Sequence, residues 1–223
     1  MRIYHGSINI IEKPIYGYGK VYNDYGLGFY CTESIALAKE WAVEYELDGF
    51  ANCYELDLKN LRVLNLNEKP FGVLHWLALL IQNRQFKSKS YLVNDAKEYL
   101  SKKFVIDFSS FDVIIGYRAD DSYFSFARDF LQGTISYRQL AMALKLGNLG
   151  EQIVLKSRKA FETIRFIEAE KTFANEWYPK KIKRENDARN EYFNNTKMKR
   201  QKGDLYISQI IDEDMEANDE RLQ

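Results

Sequence analysis

Segments patterned as strands stand at both ends of the chain, and segments patterned as helices fill most of the middle. Arg2-Ile3-Tyr4-His5 alternates with a period of two, so that Ile3 and His5 share a face. A loop holding Pro14, Gly17, Gly19 and Asn23-Asp24 follows, and Gly26 and Gly28 bracket a second short strand, Phe29-Tyr30-Cys31. Thr32 reads as the N-cap of an amphipathic helix carrying Ile35, Ala38, Trp41, Ala42 and Tyr45. Further strand-like runs occupy Ala51–Leu58 and Leu61–Leu66, and helical patterns cover Val73–Arg84 and Asn94–Lys102. An apolar strand, Phe111–Gly116, precedes helical stretches that reach about Leu146. Strand character returns in Gly147–Ser157 and in Glu162–Glu170, where Ile164, Phe166 and Glu168 alternate. This arrangement predicts an α+β domain with largely antiparallel sheets.

At 223 residues the chain can bury one sizeable core and still carry an appendage. Its 32 basic and 32 acidic residues cancel, so any attraction to nucleic acid or an anionic surface has to be local. The two cysteines, Cys31 and Cys53, lie in strand-like apolar runs and read as core residues of a reducing compartment, and no structural zinc site is expected. The first residues lack the pattern of a signal peptide, and no 18-residue apolar window occurs, so a cytoplasmic protein without membrane association is expected. After Pro179 the composition changes. Glu176–Gly203 holds nine Lys or Arg against four acids, and Asp204–Gln223 holds seven acids and one arginine. Residues 1–175 are therefore read as the domain, and residues 176–223 as a charged extension, basic and then acidic. The acidic block has one short apolar stripe, Leu205, Ile207, Ile210 and Ile211; alone it would be weakly ordered, and docking of the stripe is what would order it.

Tyr4-His5-Gly6-Ser7, then Gly26-Leu27-Gly28-Phe29-Tyr30-Cys31-Thr32 leading into a helix, then Gly150-Glu151-Gln152-Ile153-Val154-Leu155 near the end form an ordered set. In that order they resemble the ADP-ribosyltransferases of the diphtheria-toxin and poly(ADP-ribose) polymerase type. The likeness is nearest to a bacterial group of such domains that shares the Arg118–Phe124 and Gly150–Leu155 stretches, and it covers residues 1–170. It implies a split antiparallel β-sheet core with flanking helices, followed here by a helical, charged tail. It also implies a His-Tyr-Glu triad around NAD as co-substrate, with no metal.

Carried over residue by residue, the resemblance places His5, Tyr30 and either Glu151 or Gln152 in the catalytic set. His5, Gly6, Ser7, Asn23, Asp24, Gly28, Tyr30 and Arg118 become the NAD-binding residues. Each type suits its task. A glycine lets its main chain approach a carboxamide, and an aromatic face stabilises the cationic nicotinamide ring by about 0.5–2 kcal/mol. Cleavage of the glycosidic bond develops positive charge on the sugar, which calls for a carboxylate and oriented hydrogen bonds. Glu151 is the expected third member for that reason, and a register shift of one residue would put Gln152 there instead. His75 lies in an apolar helix and is assigned to structure.

Arg118 has two readings, a pyrophosphate ligand or half of a turn-closing salt bridge, and Asp120-Asp121-Ser122 can equally cap the following helix. The resemblance implies a mono-ADP-ribosyltransferase, a bacterial toxin or defence effector modifying a protein or nucleic-acid acceptor, with an antitoxin protein as a possible partner. The alternative is a catalytically degenerate module of the same fold that binds NAD or a partner. Lys180–Lys202, with Tyr178, Tyr192 and Phe193 nearby, fits a nucleic-acid acceptor or a solvated helix face equally well.

Overall fold

The computed structural model describes residues 1–84, 86–119, 121–146, 150–197 and 199–222. The strands are β1 (Arg2–Ser7), β2 (Phe29–Cys31), β3 (Gly49–Leu56), β4 (Val63–Asn65), β5 (Val113–Tyr117), β6 (Glu151–Leu155) and β7 (Ile164–Thr172). The α-helices are α1 (Ile35–Ala42), α2 (Val73–Asn83), α3 (Tyr91–Lys103), α4 (Asp121–Leu131), α5 (Tyr137–Ala143), α6 (Arg158–Glu162), α7 (Ala174–Glu191) and α8 (Ile207–Asp212). One sheet has the order β1-β3-β7 and is antiparallel throughout. The other has the order β2-β6-β5-β4, antiparallel except for the β4–β5 pair. That parallel pair needs a long crossover, which α2 and α3 supply. The chain is thus mixed α+β, as the grouping of its strand and helix patterns predicts.

The two sheets meet where β1 passes the end of β2. Tyr4 and Thr32 exchange both main-chain hydrogen bonds, at 2.8 and 2.9 Å, and beyond this bridge the strands belong to different sheets. Thr32, expected as a helix cap, is committed here instead. Ser34 caps α1, its Oγ accepting the Leu37 N–H at 3.3 Å. The helix then lies on β1 and β3 at backbone distance. A Cβ on Gly6 would stand 2.1 Å from the Ala38 carbonyl oxygen, and one on Gly49 would stand 2.0 Å from that of Ala42.

The larger core forms around α2, which buries Val73, Leu74 and the whole run Trp76–Leu80, a helix apolar on nearly every side because it lies inside. Ile114 of β5, Val154 of β6, and Phe126 and Phe130 of α4 close around it. A smaller core holds Ile3, Phe29, Tyr54, Val113 and Ile153. The charged extension joins the larger core. Tyr192, in a π-helical turn after α7, donates to Asp129 at 2.6 Å, and Arg138 of α5 grips Asp204 at 2.7 and 3.0 Å. Ile207 and Ile210 of α8 are fully buried, and Met215 and Leu222 nearly so. The acidic block is ordered by the stripe that the sequence singles out. No helix among the described residues is long and apolar enough to cross a membrane.

Candidate active site

Beyond the Tyr4–Thr32 bridge the separation of β1 from β2 leaves a cleft of about 410 Å³. Its walls include His5 and Gly6 of β1, Phe29 and Tyr30 of β2, Trp41 of α1, Gln152 of β6, and the Arg118-Ala119 stretch after β5. The loop before β2 contributes Asn23, Asp24 and Gly28, together with Ile11, Pro14, Ile15, Tyr18 and Gly19. The ends of three strands and one helix therefore converge on one concavity.

His5 is held across the gap. Its Nδ1 lies 2.7 Å from the Tyr30 carbonyl oxygen, and its ring stacks at 4.4 Å on Phe29. A carbonyl only accepts, so Nδ1 carries the proton and the neutral ring keeps Nε2 as an acceptor. Burial favours this form by pushing the His5 pKa below its ordinary 6.5, against the opposing effect of the Tyr30 carbonyl. Tyr30 is anchored by its hydroxyl, which accepts the Tyr25 N–H at 3.1 Å and donates to the Gly26 carbonyl at 2.5 Å. With the hydroxyl engaged in the turn, the ring is a fixed wall of the cleft, and burial raises its pKa far above the usual phenol value.

Gly6 has two reasons to lack a side chain. The space a Cβ would fill is occupied by α1, so helix packing alone demands the glycine. Its main chain is the part turned to the cleft. Tyr4 directs its N–H and C=O at Thr32, away from β3, and the alternation of an antiparallel pair sends those of Gly6 the same way. Ser7 goes elsewhere: its hydroxyl donates to Asn9 O at 2.6 Å and accepts from buried Asn52 at 3.0 Å. Ser7 is absent from the cleft wall, and it shapes the loop that leaves β1.

The third position is where sequence expectation and geometry part. Glu151 and Gln152 pair with Tyr117 and Gly116 of β5, and successive strand residues point to opposite sides. Gln152 is the one in the cleft wall. Glu151 is exposed, and its carboxylate accepts a hydrogen bond from Asn67 Nδ2 at 2.6 Å, so of the two candidates it is Gln152 that the strand turns to the cleft. Gln152 is 6% exposed, and its Oε1 has no hydrogen-bond partner among the described residues. Trp41 presents a matching case, a buried indole N–H without an acceptor among the described residues, with the Arg118 guanidinium 4.4 Å above its ring. Buried polar atoms are rarely left unpaired without cause, and here an orphan acceptor and an orphan donor line one cleft.

Asp24 is nearly buried and ties three segments together. It pairs with Arg84 at 2.8 Å and accepts the Ala119 N–H at 2.9 Å. Both Asp24 and Arg84 line the cleft, and the carboxylate is spent on this anchor. Asn23 O accepts the Gly26 N–H at 2.9 Å in the turn that presents Tyr30. At Gly28 a Cβ would stand 2.6 Å from a Val154 methyl, so this glycine lets β2 close on β6. Lys156 braces the same turn by donating to the Tyr25 and Leu27 carbonyls, both at 2.5 Å, while burial pushes its pKa down to about 8. Arg84 and Trp41 are site residues that the motifs do not announce. Trp41 sits in the apolar stripe of α1, and Arg84 gains meaning only from its distant partner Asp24. Asp120 lies outside the described residues, as do Gly147, Asn148 and Leu149 before β6.

A family model described as "Protein of unknown function (DUF3990)" matches residues 1–166, and the chain belongs to this family. No curated protein and no solved structure matches it. The matched stretch contains every residue named above in the cleft wall and stops inside β7, ahead of α7 and the acidic block.

Proposed function

We propose that the cleft binds NAD and that the protein transfers ADP-ribose from it to a macromolecular acceptor, in the manner of a bacterial toxin or defence effector. The observation that carries this reading is the unpaired amide oxygen of Gln152, buried in the same wall that holds His5, Tyr30 and the outward-turned main chain of Gly6. These are the positions at which the resembling transferases hold their donor. NAD would supply the leaving group: the bond from C1′ of the ribose to nicotinamide breaks, the ring departs with the electron pair, and the acceptor's nucleophile takes its place.

The chain's own groups have separable tasks in this account. Gly6 offers an N–H and a C=O from one residue, which matches the acceptor and donor of a carboxamide. Tyr30 and Trp41 provide aromatic faces, and Arg118 provides the cation for a diphosphate. Neutral His5 accepts a ribose hydroxyl proton through Nε2. Gln152 turns a dipole, not a charge, toward the sugar. A carboxylate would stabilise developing positive charge more strongly, so transfer is expected to be slow.

A second reading rests on that same amide. Among the described residues of the cleft wall only Asp24 bears a carboxylate, and Arg84 and the Ala119 N–H already engage it. A module that binds NAD and performs no transfer is consistent with a site so composed. Incubation of the full chain with labelled NAD and cell lysate, followed by separate recovery of protein and nucleic acid, distinguishes the two. Label in either fraction that depends on Gln152 and His5 supports transfer. Saturable NAD binding with no label and no released nicotinamide supports the binding module.

A further inference from the structure

A second cavity, larger than the cleft at about 630 Å³, lies under the acidic block. It falls within the usual range of small-molecule sites. Its wall is mostly apolar and includes the rings of Phe71, His75, Phe104, Tyr117 and Tyr137. His75 stands edge-on between Phe71 at 5.5 Å and Phe104 at 5.6 Å, and Tyr117 closes the end of β5. The imidazole has no hydrogen-bond partner among the described residues, and burial holds its pKa below 6.5, so it is neutral at pH 7. Asn67 adds the polar group that gives the cavity direction. Its Nδ2 is fixed on Glu151 at 2.6 Å, which leaves Oδ1 shielded from solvent and without a donor among the described residues. Lys69 and Lys145 are exposed residues of the same wall.

We infer that this cavity is a second ligand site, for a planar heteroaromatic anion of mononucleotide size that donates an N–H to Asn67 Oδ1. The ring-bearing side chains of the wall fit a flat ring, the amide oxygen calls for a donor, and exposed Lys145 favours an anionic substituent. The site is independent of the NAD reading, because none of its wall residues lines the cleft. It is physically joined to the cleft all the same. The Tyr117 carbonyl accepts from the Tyr25 hydroxyl at 2.6 Å, and the Tyr25 N–H bonds the hydroxyl of Tyr30. Glu151, which orients Asn67, directly precedes Gln152 on β6.

The chain's two histidines give the test its reporters, since His5 lies in the cleft and His75 in the second cavity. Inosine monophosphate, inosine and ribose 5-phosphate are each titrated into the full chain while the imidazole NMR signals are followed. The expected result is a saturable shift of the His75 signals by inosine monophosphate. Inosine, lacking the anion, and ribose 5-phosphate, lacking the ring, should bind at least tenfold more weakly. Asn67→Leu should weaken binding at least tenfold, and Lys145→Glu, an exposed change that leaves the fold intact, should weaken it severalfold. Absence of a His75 response at millimolar inosine monophosphate overturns the proposal. So does a response confined to His5, or one that both variants leave unchanged.

Discussion

At the scale of single residues the account turns on Gln152. Replacing it by glutamate puts a charge where the sugar becomes positive, and the expected outcome is a rise of about tenfold or more in NAD consumption. Glu151→Gln should leave the rate within about twofold, because that carboxylate serves Asn67 outside the cleft. Equal effects of the two variants on released nicotinamide would contradict the assignment. Buried titratable groups make further predictions. The folded-state pKa values of His5 and His75 both lie below 6.5, so their contribution to stability is present above pH 6.5 and is lost as pH falls through the folded values. His5→Gln should remove part of that acid sensitivity, read as a smaller drop in urea midpoint from pH 7 to pH 5. Lys156 has the same sign in an alkaline window. Its folded pKa of about 8 lies under the ordinary 10.5, so the native state sheds the proton first and gains stability as pH rises between the two. Between pH 7.5 and 9.5 the wild-type midpoint should rise relative to that of Lys156→Met.

At the scale of elements the cleft exists because β1 and β2 share one bridge and then part, while α1 seals β1 from behind. Gly6→Ala tests the seal. Its methyl would meet main-chain atoms of α1, which cannot turn aside as a side chain can, and overpacking of that kind costs about 1–3 kcal/mol. A lowered melting temperature together with weakened NAD binding is expected; a variant of native stability would show that α1 is free to move away. Much of this was legible in the sequence. Period-two alternation marks Ile3 and His5, Gly26 and Gly28 delimit β2, and the apolar spacing of α1 and α2 declares both helices. Other features were out of reach for physical reasons. Thr32 and Ser34 are both good caps, and only the distant bridge to Tyr4 decides between them. Adjacent polar residues at the start of β6 carry no local sign of which side faces the cleft, so Glu151 was as eligible as Gln152. Chemistry favours the carboxylate, and the strand pairing turns the amide to the cleft. Arg84 and Asp24 lie 60 positions apart, and their pairing has no local signature at all.

At the scale of the whole molecule the charged extension is part of the fold. Ile207, Ile210, Met215 and Leu222 lie in the larger core, and a fully buried side chain of this size contributes about 1.5–3 kcal/mol. Truncation after Gly203 should therefore lower the melting temperature steeply or leave the chain insoluble. A truncated chain of unchanged stability would show that the block is only laid on the surface. The same truncation removes Ala217, Asn218 and Leu222 from the wall of the second cavity. The central claim concerns the other cavity, and calorimetric titration of NAD into the intact chain tests it most directly. The account predicts saturable binding to one site, weakened about tenfold or more by Trp41→Ala and by Gln152→Leu, with both variants folded. Absence of NAD binding by the folded wild-type protein, or binding that neither variant alters, would contradict it.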